Sequence, residues 1–201
     1  RLIEGENPTE RGGIIWHTQG SGKSLTMMFM VREMKLHSHL MPWKIIFVTD
    51  RTQLEEQLSE TGNSIGFAIK TANFINPKTP ANGKSLKELL SNDNSDMVMA
   101  MIHKFQENDE LNGLELFPEL NISHQVLIMT DEAHRSQYSI LGANLRRALP
   151  NATHIAYSGT PTDRTEQVYK DYIDKYTMRQ SIEDGVTLEI VYEGFTHNAE
   201  V

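Results

Sequence analysis

The residues best suited to chemistry form a short glycine-rich run, His17-Thr-Gln-Gly-Ser-Gly-Lys-Ser24. Glycines at 20 and 22 let backbone N–H groups turn toward an anion where a larger side chain would collide. Lys23 can reach the outer phosphates of a nucleotide, and the Ser24 hydroxyl can bind Mg²⁺. The run therefore predicts a phosphate-binding loop, named the P-loop (17–24) below, although a glycine turn before an ordinary helix is the alternative. The predicted phosphate contacts are Thr18, Gln19, Gly20, Ser21, Gly22, Lys23 and Ser24.

Two adjacent acids, Asp131 and Glu132, follow the apolar run 126–129. A carboxylate at the end of a buried strand can face the P-loop and hold Mg²⁺ through water, which is the role predicted for Asp131. Glu132 can orient and deprotonate an attacking water. A solvated turn with two acids is the alternative, which the P-loop upstream disfavours. A glutamate after the aspartate favours hydrolysis of ATP with Mg²⁺ over transfer of phosphate to a small substrate. The predicted catalytic residues are accordingly Glu132, Lys23 and Asp131.

A third polar turn, Ser158-Gly-Thr-Pro161, follows another apolar run. The hydroxyls of Ser158 and Thr160 are candidates to sense the γ-phosphate and to relay its loss. When the motif is taken alone, a turn that merely ends a strand is the favoured explanation of these residues.

Short β-branched runs alternate with longer amphipathic ones, which is the pattern of a parallel sheet covered on both faces. The sequence therefore predicts an α/β fold, mainly a parallel sheet with helices on both faces, and a nucleotide at the carboxyl ends of the strands. Predicted strands are 13–16, 44–49, 67–69, 96–101, 125–129, 153–157 and 187–192. Predicted helices are 23–36, one that opens at Asp50, 85–90 and 165–176. Within 23–36, the residues expected near one stripe are Leu25, Met28, Phe29, Arg32 and Leu36.

Composition limits the class of protein. The 201 residues carry a net charge of −8 with a pI near 5.5, which argues against coating nucleic acid with the whole surface but leaves room for a local basic groove. The absence of cysteine excludes disulfides and cysteine zinc sites. The longest apolar run has six residues, 97–102, whereas a membrane span needs about twenty, so no membrane partner is expected. The first residue is Arg1, so we expect a piece of a longer protein.

The P-loop, Asp-Glu-Ala-His and Ser-Gly-Thr-Pro motifs occur in an order and spacing that resemble the helicase-type motors of superfamily 2. A closer resemblance is to the motor (R) subunit of type I restriction–modification enzymes, which typically carries a histidine where other P-loops begin with glycine or alanine. This resemblance rests on GGIIWHTQGSGKS at 12–24, VTDR at 48–51 with Leu54 and Gln57, DEAHRSQ at 131–137 and SIEDGV at 181–186.

The resemblance implies a RecA-like P-loop lobe of a cytoplasmic, ATP-dependent translocase of double-stranded DNA. It also implies a nuclease domain upstream, a second motor lobe downstream, and assembly with methyltransferase and specificity subunits. Within this chain it implies a helicase-like ATP-binding lobe at 1–164 and, at 165–201, the C-terminal part of the lobe, leading toward a second lobe that this sequence lacks.

The same resemblance suggests residues that contact DNA and residues that couple nucleotide state to the motor. Segments after the second strand and after the Met-rich strand line the nucleic-acid track in such motors, which points to Thr49, Arg51 and Lys104. A solvated cation or a helix-cap partner is an equal alternative for the two basic residues. His134 resembles the coupling residue of its motif and joins Ser158 and Thr160 in that role.

Two other functions remain open at this stage. The chain could belong to another superfamily 2 motor, such as a repair translocase or an RNA helicase. It could also be a nucleotide-binding switch without enzymatic activity, although such a switch does not need a water-positioning residue like Glu132.

Overall fold

Seven parallel strands form the main sheet of the computed structural model, which describes residues 1–49, 57–58, 60–62, 64, 66, 69–71, 86–105, 108–109, 113–114, 117–131 and 140–189. The strands are β1 Gly13–His17, β2 Lys44–Thr49, β3 Ile69–Thr71, β4 Met97–Met101, β5 Asn108–Asp109, β6 Gly113–Leu114, β7 Val126–Asp131, β8 Thr153–Ser158 and β9 Tyr172–Tyr176. The helices are α1 Pro8–Arg11, α2 Lys23–Leu36, α3 Leu86–Ser91, α4 Ile140–Ala148, α5 Asp163–Tyr169 and α6 Met178–Glu183. A one-turn 3₁₀ helix, Ile102–Lys104, follows β4, and β5 and β6 form a separate antiparallel pair.

The central strands are mostly apolar because helices cover both faces of the sheet. Every residue of β2, β4 and β7 is buried. One core packs α2 against side chains such as Phe47 and Met129, and the other packs α3 and α4 against side chains such as Val98 and Ile128. The predicted α/β fold with a parallel sheet is therefore confirmed.

The strand order, β3-β4-β2-β7-β8-β1-β9, decides what surrounds the end of β1. The strands β2, β3, β4, β7 and β8 all lie on one side of β1. The last strand, β9, lies on the other side of β1. Because all these strands are parallel, the loop after β1 lies between the carboxyl ends of β8 and β9. Ligands of open α/β sheets bind at this kind of edge.

A buried lysine begins β2 without leaving an unsatisfied charge. Lys44 is 2% exposed, and its Nζ donates to the carbonyl oxygen of Leu89 at 2.6 Å and to Oδ1 of Asn92 at 2.8 Å. The ammonium group thus binds the C-terminal end of α3, where helix carbonyls lack partners and carry negative partial charge. The contact ties α3 to the central strand of the sheet.

The predicted helix 165–176 is wrong in its second half. Thr162 caps α5 through a reciprocal pair of hydrogen bonds with Thr165, and the helix ends at Tyr169. Lys170 adopts a φ of 65°, which breaks the helical path, and Tyr172–Tyr176 then pairs with β1. Pairing with a distant strand overrides the local helical pattern, an outcome that short segments often show.

The predicted inward stripe of α2 is also wrong, although both ends of the helix are as predicted. Met28 is buried, but Leu25, Phe29 and Leu36 are 52%, 55% and 72% exposed, and Arg32 is exposed. The residues that face the sheet are Met27, Met28, Val31 and Met34. The helix carries apolar side chains on more than one side, so the periodicity of the sequence does not determine which face is buried.

The late strand predicted at 187–192 is absent at residues 187–189, and its remainder lies outside the described residues. Instead, α6 and a turn occupy residues 178–187, a feature the sequence analysis missed. Within the described part of the chain, no helix has the length and apolar character that crossing a bilayer requires.

Candidate nucleotide-binding site

The P-loop connects β1 directly to the amino end of α2. Gly20 and Gly22 adopt φ values of 83° and 87°, in the left-handed region that favours glycine. Lys23 is the first residue of α2 and Ser24 the second. The first N–H groups of a helix have no partner within it and carry positive partial charge, so this end of α2 can bind an anion. The loop has the geometry of a phosphate-binding turn, with Thr18 buried and Gln19 and Gly20 exposed.

The P-loop, Asp131 and the Ser-Gly-Thr-Pro turn lie at the carboxyl edge of the sheet. Ser158 at the end of β8 is level with Trp16 of β1, and Asp131 at the end of β7 is level with Tyr157 of β8. Asp131 is 9% exposed and Ser158 is fully buried. The acid, the hydroxyl turn and the P-loop therefore end three neighbouring strands, β7, β8 and β1.

Gly159 of the Ser-Gly-Thr-Pro turn lies directly against the P-loop. A Cβ atom placed on Gly159 would stand 3.1 Å from the backbone nitrogen of Gln19 and 3.4 Å from Nζ of Lys23. The indole Nε1 of Trp16 donates to the carbonyl oxygen of Gly159 at 3.1 Å. In the same turn, the amide of Thr160 donates to Oγ of Ser158 at 3.2 Å. The turn can thus respond to changes in the P-loop by direct contact, although its glycine was not among the predicted site residues.

The other side of the P-loop contacts β9, which the sequence analysis missed. Nε2 of His17 donates to Oδ2 of Asp174 at 2.7 Å, and the amide of Thr18 donates to the carbonyl oxygen of Tyr176 at 3.0 Å. Inside the loop, Oγ of Ser21 donates to the carbonyl oxygen of Thr18 at 2.6 Å. The sequence held one sign of this contact. Other P-loops begin with glycine or alanine, whereas this one begins with His17, whose side chain is long enough to reach a neighbouring strand.

The segments suggested for DNA contact leave from neighbouring strands. Thr49 ends β2 and is level with Met101 at the end of β4. Lys104 closes the 3₁₀ turn after β4, and the next residue, Phe105, is buried, with its carbonyl oxygen accepting a hydrogen bond from Asn144 at 2.8 Å. Thr49 itself is 1% exposed. The backbone after β4 is therefore anchored beside the end of β2.

Three predicted site residues, Glu132, His134 and Arg51, lie outside the described residues. Glu132 and His134 follow Asp131, the last residue of β7, and Arg51 follows Thr49 by two positions. The structure places only the strand ends that precede them in the sequence, Thr49 and Asp131, at the carboxyl edge of the sheet.

Tyr176 beside His17 and Tyr172 at the start of β9 keep their protons at neutral pH. The hydrogen bond that Tyr176 Oη donates to Asp184 at 2.8 Å raises the pKa of this phenol. Burial and a hydrogen bond to Glu166 raise the pKa of Tyr172 to about 12. These phenols therefore act as neutral packing and hydrogen-bonding groups along β9.

The chain matches the model of one protein family along nearly its whole length. Residues 2–201 match the family described as SWI2/SNF2 ATPase. This match covers the P-loop, the acidic strand end, the Ser-Gly-Thr-Pro turn and β9 together.

Among named proteins, two similar relatives are endonuclease subunits of type I restriction enzymes. The HindI subunit of Haemophilus influenzae is 35% identical in an alignment 205 positions long, gaps included, that covers 94% of this chain and 19% of that protein. A subunit provisionally named MjaIXP, from Methanocaldococcus jannaschii, is 34% identical in an alignment 197 positions long that covers 96% of this chain and 18% of that protein. The resemblance to this group is confirmed, and the chain spans about a fifth of the length of these relatives.

A solved structure shares the fold. It is a nuclease-deletion mutant of the Type ISP restriction-modification enzyme LlaGI in complex with a DNA substrate mimic, with a TM-score of 0.58 and 15% identity. The likeness covers 92% of this chain and 19% of that one. It confirms the predicted RecA-like motor-lobe fold.

Proposed function

Because this chain belongs to the SWI2/SNF2 ATPase family, we propose that it is the ATP-binding lobe of a double-stranded DNA translocase, the motor of a type I restriction enzyme subunit. The observation that carries the proposal is the meeting of the P-loop, Asp131 and the Ser-Gly-Thr-Pro turn at the carboxyl edge of one parallel sheet. The restriction assignment draws on the names of the relatives, so nuclease activity and methyltransferase and specificity partners belong to the proposed full-length protein.

Phosphate binding is the proposed task of residues 18–24. The amides at the start of α2 and the Lys23 ammonium group neutralise phosphate charge in both the ground state and the transition state. Glu132 takes the proton of the attacking water, and Ser158, Thr160 and His134 couple the loss of the γ-phosphate to motion of the motor. In this division of roles, the P-loop determines affinity and Glu132 determines turnover.

Mg²⁺ fits the oxygen donors available at this edge. Mg²⁺ prefers oxygen ligands, keeps several waters and needs only one or two carboxylates when phosphates complete its shell. The Ser24 hydroxyl and the Asp131 carboxylate, partly through water, would hold it. Among the described residues, no group of three or more acidic or histidine side chains is placed to hold a metal ion by itself. When bound, Mg²⁺ would neutralise charge that develops on the phosphate oxygens.

The proposed division of the chain assigns the ATP-binding lobe to residues 1–164 and the route toward a second motor lobe to 165–201. β9 belongs to the second of these parts but pairs with β1 in the main sheet. The segment that leads onward is therefore in direct contact with the P-loop strand.

The function is tested by nucleic-acid stimulation of ATP hydrolysis by the full-length protein. We expect duplex DNA to stimulate phosphate release and duplex RNA of the same sequence to have little effect. Stimulation by RNA alone would favour an RNA helicase, and ATP binding without any hydrolysis would favour a nucleotide switch.

The close approach of Gly159 gives a prediction about ATP affinity. Its φ is not in the left-handed region, so alanine is tolerated by the backbone, but the added Cβ would push on Gln19 and Lys23. We expect Gly159→Ala to raise the KM for ATP about fivefold, or roughly 1 kcal/mol at 1.4 kcal/mol per tenfold. Steady-state kinetics of the full-length protein measure this, with thermal melting as the check on folding. An unchanged KM would show that the turn does not constrain the P-loop.

The two basic residues near the ends of β2 and β4 give a prediction about DNA. Thr49 offers no exposed surface, so the proposal rests on Arg51 and Lys104, which follow neighbouring strand ends. We expect Arg51→Ala and Lys104→Ala each to weaken DNA binding about equally across sequences and to reduce the salt slope by roughly one. Arg147, exposed at the end of α4 on the opposite edge of the sheet, is the control. An unchanged slope for both variants would remove them from the DNA track.

A further inference from the structure

A single histidine ties the base of the P-loop to the edge strand of the sheet. His17 is the last residue of β1, its side chain is 12% exposed, and its Nε2 donates to Oδ2 of Asp174 at 2.7 Å. The imidazole also packs edge-on against the ring of Tyr176, with the ring centroids 5.8 Å apart. The side chain is therefore fixed on two sides by residues of β9.

Further contacts extend this tie along the next part of the chain. Oγ1 of Thr18 and Oγ1 of Thr187 both donate to Sδ of Met178, at 3.7 and 3.8 Å. Oγ1 of Thr187 also lies 2.9 Å from Oγ of the buried Ser181, from which it can accept a hydrogen bond, and its methyl group lies 3.7 Å from the position of a Cβ on Gly20. Residues 172–187, named the β9–α6 brace, thus contact the P-loop from its first residue to its first glycine.

The strand in this brace is weakly held by its own packing. Among the described strands, β9 lies at the edge of the sheet, its three central residues are exposed, and its ladder to β1 is irregular between Ile14 and Ile15. Such a strand gains little from burial of apolar side chains. A side-chain contact at the P-loop end therefore adds to the backbone ladder in setting the local position of β9 against the P-loop.

We propose that His17 and Asp174 form a positioning pair that holds the P-loop in its phosphate-binding conformation, an inference that rests on the proposed ATP-binding function. Phosphates are bound by backbone N–H groups whose directions depend on the loop conformation, and a preformed loop binds more tightly because less ordering accompanies binding. The pair also explains why a histidine stands at the first P-loop position. Glycine or alanine there could not reach Asp174 across the strand.

If His17 and Asp174 only stabilised the fold, different experimental results would be expected. A contact to an exposed carboxylate contributes little to stability, and Asp174 is 61% exposed, so its loss should leave the fold intact. A positioning role instead predicts an effect on ATP affinity at temperatures well below the melting transition. It also predicts that the two residues act as one unit.

The test uses the full-length protein with His17→Ala, Asp174→Ala and the double variant. We expect each single change to raise the KM for ATP about three- to tenfold while kcat stays within about threefold, because a hydrogen bond to a charged group is lost. The double variant should be no worse than either single variant. Asp174→Asn keeps an acceptor for Nε2 of His17 and should restore most of the affinity.

Asp171→Ala is the matched control, because Asp171 pairs with Arg1 at 2.7 Å just before β9 and its side chain makes no contact with the P-loop. An unchanged KM in both single variants, additive effects in the double variant, or a lower melting temperature with normal KM would each overturn the positioning pair. If the unaltered full-length protein neither binds nor hydrolyses ATP in the same assay, the proposed function is wrong, and the inference that rests on it is wrong as well.

Discussion

Lys23→Ala in the full-length protein is expected to lose ATP binding and hydrolysis together. Lys23 begins α2 and lies beside Gly159, at the point where the P-loop turns into the helix. Loss of charge-assisted contacts to phosphate should raise the Kd for ATP about 100-fold, or roughly 2.8 kcal/mol at 1.4 kcal/mol per tenfold. Equilibrium titration with ATP and Mg²⁺, alongside phosphate release, measures both effects.

A lysine at the other end of the same helix is the control for Lys23. Nζ of Lys35 donates to the carbonyl oxygens of Met41, Trp43 and Ser95 at 3.0, 2.9 and 3.1 Å, and burial lowers its pKa. Lys35→Ala should therefore reduce the free energy of unfolding by about 1–3 kcal/mol while leaving ATP affinity near normal. Normal ATP affinity in a folded Lys23→Ala variant would remove this lysine from the site.

Glu132→Gln is expected to keep ATP binding and lose turnover. Glutamine preserves the shape of the side chain but cannot accept the proton of the attacking water. General-base catalysis contributes about 10²- to 10⁴-fold, so kcat should fall by about 10³ while the Kd for ATP stays within about threefold. Single-turnover phosphate release and ATP titration separate the two quantities.

The control for Glu132 is Glu183→Gln, because Glu183 is an exposed carboxylate on α6 that pairs with Arg179 four positions earlier. This change should alter neither binding nor turnover. A Glu132→Gln variant that folds but no longer binds ATP would show that the roles of base and phosphate contact are wrongly divided, and normal turnover would exclude Glu132 as the base.

Local patterns predicted much of the sheet and the motif core of the candidate site. β2 and β7 are short runs of consecutive apolar residues bounded by polar ones. A run of this length and composition is typical of a fully buried parallel strand. The P-loop was recognisable because the spacing of its glycines and lysine reflects local backbone geometry. Asp131 and Ser158 stood out for a related reason, since each is polar at the end of an apolar run.

Contacts between distant parts of the chain were not predictable in this way. His17 and Asp174 are 157 positions apart, and the strand that carries Asp174 has a local pattern that also suits a helix. The approach of Gly159 to Gln19 likewise depends on the order of β8 and β1 in the sheet, which no local signal specifies. The face that α2 buries was ambiguous because the helix carries apolar residues on more than one side.

The central claim is that this chain binds ATP with residues 18–24, and a structure of the full-length protein with Mg²⁺ and a non-hydrolysable ATP analogue tests it most directly. We predict the β- and γ-phosphates against the amides at the start of α2, with Lys23 in contact and Asp131 on the metal side. An analogue bound at another place, with no phosphate contact to residues 18–24, would contradict the account.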